Sequence, residues 1–70
     1  MEIRNEEHAR EMLGVWQQLA APARKKEIGL AIQQLELNCM YYEQKGSSQG
    51  MDRCERCISL LKEHLATLGG

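Results

Sequence analysis

Cys54-Glu55-Arg56-Cys57 is the stretch of this 70-residue sequence whose residue types and spacing could do chemistry outright. Two thiols three positions apart can hold a metal ion or cycle between dithiol and disulfide, and on a helix they share one face. A structural zinc site needs four ligands, however, and the nearest other candidates by type are Cys39 and His64. His64 lies seven residues past Cys57, about 10 Å along a helix, so both could reach one ion only in unusual geometry or across two copies of the chain. A thioredoxin-like redox pair belongs in a βαβ unit, and no segment here alternates with the period of a strand. Cys54 and Cys57 instead continue an apolar stripe through Ile58, Leu61 and Leu65, where a free cysteine behaves as a small hydrophobe. We read both as core and expect no metal site and no cofactor. If Asp52 caps a helix at this point, Cys54 also stands near its positive end, where a thiol ionises more readily.

The other chemical signals are sparser. His8 and His64 fall near the start of a first helix and the end of a third and share no motif; His64 near a helix C-terminus suits the dipole without any catalytic role. Arg24-Lys25-Lys26 is the one basic run, placed where a helix dipole disfavours cations, so it is a candidate contact for an acidic surface or a phosphate. No glycine-rich phosphate loop, H-E-x-x-H or nucleophile elbow occurs, and so small a helical chain has little room for an active-site pocket. We expect no enzyme.

Composition narrows the classes further. Apolar residues make up 43% and charged residues 27%, ordinary for a globular domain, and the net charge is −1. Nucleic-acid binders usually carry a basic excess, which is missing here. Apolar runs are too short to span a bilayer, the first residues lack the pattern of a secretion signal, and three cysteines make an odd count. We expect a soluble cytoplasmic protein.

The elements that must position these residues are read from two breaks, Ala20-Ala21-Pro22 and Gly46-Ser47-Ser48-Gln49-Gly50. They divide one domain, residues 1–70, into helices expected at about 5–20, 22–45 and 52–68. Asn5 caps the first, ahead of Glu6 and Glu7, and its stripe is Ala9, Met12, Leu13, Trp16, Leu19 and Ala20. Pro22 opens the second and Gly46 stops it, with a stripe of Ile28, Ala31, Ile32, Leu35, Cys39 and Tyr42. Asp52 with Glu55 resembles a capping box for the third, whose stripe runs through Cys54, Cys57, Ile58, Leu61, Leu65 and Leu68. The fold class is therefore all-α: a helical hairpin plus a third helix, forming a bundle completed by dimerisation.

The middle helix carries a second stripe. With Ile28 at zero on a helical wheel, Leu30, Leu37 and Tyr41 fall near roughly 200°, 180° and 220°, and Met40 lies on the flank. Such residues can be scattered surface side chains, or be sandwiched by the first and third helices, or be covered by another chain. A chain this short is poor in core, so we favour the third reading, with a second copy as the first choice. The expectation is a small protein-binding regulator or inhibitor, acting as a homodimer through Leu30, Leu37, Met40 and Tyr41. The alternative is a DNA-associated transcription regulator that uses Arg24, Lys25 and Lys26.

Overall fold

Each helix begins and ends where a specific group satisfies its unpaired backbone. In a computed structural model, which describes residues 3–68, Asn5 is extended and its side-chain oxygen accepts the His8 N–H at 2.8 Å. That cap starts α1, Glu6–Trp16, with Glu6 and Glu7 in the first turn, where the dipole favours negative charge. Pro22 stands in the first turn of α2, Ala21–Lys45, where its missing N–H costs nothing. Gly46 closes α2 with φ 72°, a left-handed conformation that a side chain disfavours. The Gly46 and Ser47 N–H groups then turn back to the Glu43 and Tyr42 carbonyls at 3.1 and 2.9 Å. This paired closure is a Schellman motif. Two residues later the chain is helical again in α3, Ser48–Thr67, so α2 and α3 form a tight hairpin.

Two expected boundaries move. α1 stops at Trp16 instead of running to residue 20. Gln18 and Leu19 donate to the Val15 and Trp16 carbonyls, three residues back, which winds the chain too tightly for α-helix. Residues 17–20 form the turn that leads from α1 into α2. Leu19 and Ala20, expected on the buried stripe, are exposed. α3 begins at Ser48 rather than after Asp52, because Ser47 is the true cap: its hydroxyl accepts the Gly50 N–H at 3.2 Å. Asp52 lies in the second turn, where it pairs with Arg56 at 3.1 Å, so the Asp52–Glu55 capping box does not form.

The packing is asymmetric. α2 and α3 share the largest interface, α1 rests mainly on α3, and α1 touches α2 least. The core joins Ala9, Met12, Leu13 and Trp16 of α1 to Ile28, Ile32 and Leu35 of α2 and Cys54, Cys57 and Leu61 of α3. Ala31, Cys39, Tyr42, Ile58, Leu65 and Leu68 border it half-buried, so the expected stripes of α2 and α3 do face inward. Ile3 and Leu60 also join, although neither lies on an expected stripe. Arg56 reaches Glu6 across the α1–α3 junction at 3.9 Å, but Arg56 is exposed and Glu6 only half-buried, so the pair contributes little. Among the described residues there is no strand, and no helix is long and apolar enough to cross a membrane.

Candidate protein-binding face

α2 has a buried face and an uncovered apolar face, and adjacent turns show the contrast. Ile28 and Leu35 are 0% and 1% exposed, while Leu30 and Leu37, two residues further on in each case, are 50% and 61% exposed. Met40 and Tyr41 follow at 57% and 56%. All four residues expected at a partner surface are therefore open, and α1 and α3 do not sandwich α2. The α1–α2 contact is confined because α1 lies chiefly against α3.

Two features give this face shape. A shallow groove runs along it, with Trp16, Glu27, Leu30, Gln33, Gln34 and Leu37 on its walls. Trp16 is buried in the core and also offers an edge to the groove, a dual position that its place on the α1 stripe did not reveal. On the wheel Gln33 and Gln34 lie beside Leu37, within the same face. At the far end, the Tyr41 ring stands edge-on to Tyr42 at 5.6 Å, and the Lys45 ammonium lies 5.6 Å from its centroid. Tyr41 thus presents an exposed aromatic surface at this end of the face. Val15 is also exposed, at 57%, and lay off every expected stripe.

The basic run is divided in its use. Arg24 donates through Nη2 to the carbonyls of Leu19 at 2.9 Å and Gln17 at 3.1 Å, thereby capping the end of α1. Its Nε is buried there with no hydrogen-bond partner among the described residues. Carbonyls at a helix C-terminus favour a cation, which explains why an arginine is placed where its own helix would disfavour it. Arg24→Ala should therefore lower stability by about 1–2 kcal/mol. Lys26→Ala, at an exposed position, should stay within about 0.5 kcal/mol of wild type; urea unfolding followed by circular dichroism would check both.

The thiols gather between α2 and α3. Cys54 and Cys57 are buried and Cys39 is half-buried, with Cys39 and Cys54 sharing a hydrogen bond. Cys54 lies nearly two turns inside α3 and not near its positive end, where Asp52 as a cap would have put it. Burial, then the neighbouring Cys54 thiol and the Glu55 and Glu36 carboxylates, push the Cys39 thiol up from 9.0 to about 11. Burial also raises Cys57, helped by Glu6 and opposed by Arg53. Among the described residues no three His, Cys, Asp or Glu side chains converge as a metal site.

A thiol whose folded pKa is raised stabilises the fold fully below its unfolded pKa, and that stability is lost as pH climbs through the folded value. For Cys39 the window is pH 9 to about 11. Thermal unfolding across that range should show a steeper loss for wild type than for Cys39→Ala. Equal slopes would remove the linkage.

The histidines are local fixtures. His8 Nδ1 accepts the Arg4 N–H at 3.2 Å, and the His64 carbonyl accepts the Thr67 hydroxyl at 2.6 Å in the last turn of α3. Comparison with protein-family models, with curated proteins and with solved structures finds no match to this chain.

Proposed function

We propose that this protein works in the cytoplasm as a non-enzymatic regulator or inhibitor, binding another protein chain through the outer face of α2. The observation that carries this is the apolar row Leu30, Leu37, Met40 and Tyr41 on the side of α2 opposite the core. Each is half exposed or more, and together they run along one helix for about three turns. Single exposed leucines are common, but an aligned row with a tyrosine at one end and a groove beside it is a surface suited to a partner helix. Complete burial of such side chains is worth roughly 1.5–3 kcal/mol each before the costs of association. A partner held there would have its own contact surface blocked, which is how a chain without catalytic groups can regulate.

The test is a photoreactive side chain placed at position 37 and, as a control, at the exposed Lys62 on α3. Irradiation in cells should give discrete protein adducts at position 37, whether with another copy or with a different protein, and none above background at position 62. No adduct at position 37 would overturn the reading.

A further inference from the structure

Resting on that reading, we propose that the chain covering this face is a second copy of this one. Its α2 lies antiparallel to the first about a twofold axis passing between Gln33 and Gln34. Ala23, Leu30, Leu37 and Gln44 recur at intervals of seven along the uncovered side of α2. Lys26, Gln33 and Met40 flank that line on one side and Glu27, Gln34 and Tyr41 on the other. This is the seam along which two helices pack at about 20° to one another.

Register and direction follow from what each residue would meet. With the axis between Gln33 and Gln34, Leu30 of each copy meets Leu37 of the other, so both exposed leucines are buried against leucine. Gln33 meets Gln33 of the other copy on one flank of the axis and Gln34 meets Gln34 on the other, where each amide can donate and accept. Lys26 comes alongside Met40 of the other copy on one flank, and Glu27 alongside Tyr41 on the other. The axis also lies within one residue of the midpoint of Ala21–Lys45, so the two helices overlap along almost their whole length.

Charge selects antiparallel over parallel. With Arg24 held by the carbonyls at the end of α1, Lys25 and Lys26 against Glu27 leave residues 25–33 at net +1, whereas Glu36 and Glu43 against Lys45 leave residues 34–45 at net −1. Antiparallel pairing brings the positive half onto the negative half and opposes the helix dipoles; parallel pairing stacks like on like. The result is a four-helix arrangement of two α2–α3 hairpins with α1 at each flank, which adds core to a chain short of it.

The test uses Leu30→Lys and Leu37→Glu, separately and mixed, with molar mass from light scattering and helicity from circular dichroism. Wild type should show twice the chain mass and each variant alone the single mass. Mixing them should restore twice the mass, because one seam then sets the introduced lysine against the introduced glutamate and the other keeps leucine on leucine. If the monomer cannot hold its fold, each variant alone loses helicity and the mixture regains helicity and mass together, which supports the same pairing. Wild type at single mass up to millimolar concentration would overturn the second copy. Foreign-protein adducts at position 37 would then leave the protein-binding reading standing. Doubled mass in both variants alone, or no recovery on mixing, would overturn this face or this direction.

Discussion

Leu61→Ala is expected to leave the domain largely unfolded at room temperature. Leu61 is 0% exposed and sits on α3, the helix against which both others are packed. Truncating a buried leucine removes its transfer free energy and leaves a cavity that neighbours fill only partly, at a cost of about 2–5 kcal/mol. A single core of this size supplies only roughly 3–5 kcal/mol in total, so the loss is comparable to the whole. The same truncation at Leu37, which is 61% exposed, removes almost no buried contact within one chain. Its unfolding should stay within about 0.5 kcal/mol of wild type at concentrations where the chain is monomeric. Urea titration of the two variants measures the difference directly. A Leu61→Ala loss below about 1 kcal/mol would show that α3 is not the shared support of the fold.

The contrast between those leucines also shows what could be read before any coordinates. Period alone separated Ile28, Ile32 and Leu35 from Leu30 and Leu37, because two residues on a helix are about 200° apart and cannot share a face. Three helices, the Asn5 cap, Pro22 in a first turn and Gly46 as a stop were likewise legible, since each rests on a backbone rule that acts within a few residues. What escaped is tertiary. Arg24 looked like a surface cation, and only the path of the chain after Trp16 brings the Gln17 and Leu19 carbonyls to its guanidinium. Trp16 looked purely internal, yet it also lines the groove beside Leu30 and Leu37. Cys39, on a different helix from the C-x-x-C, meets Cys54 because the Gly46-Ser47 hairpin folds α3 back along α2.

α3 starts at Ser48, inside a segment that reads as a loop. Ser47-Ser48-Gln49-Gly50 has the composition of a loop, and glycine ordinarily weakens a helix by about 1 kcal/mol against alanine. Gly50 nevertheless stands in the first turn of α3 and is buried. A Cβ added there would lie 2.4 Å from Cδ1 and 2.6 Å from Cγ of the Tyr42 ring. Cγ is the root of the ring and not a flexible tip, so the whole ring would have to leave its place between the two arms of the hairpin.

Gly50→Ala should therefore destabilise by about 1–3 kcal/mol through overpacking, although helix propensity alone favours the change. Gly14, in the last turn of α1, meets nothing within 4 Å of an added Cβ, so Gly14→Ala should stabilise by about 0.5–1 kcal/mol. The opposite signs isolate the contact from the propensity. A double-mutant cycle completes the case. In a Tyr42→Ala background the ring is gone, and Gly50→Ala should turn from harmful to mildly favourable, giving a coupling of about 1–3 kcal/mol between the two sites. If Gly50→Ala is equally harmful with and without the Tyr42 ring, then the glycine is needed for its backbone and not for the aromatic ring packed on it.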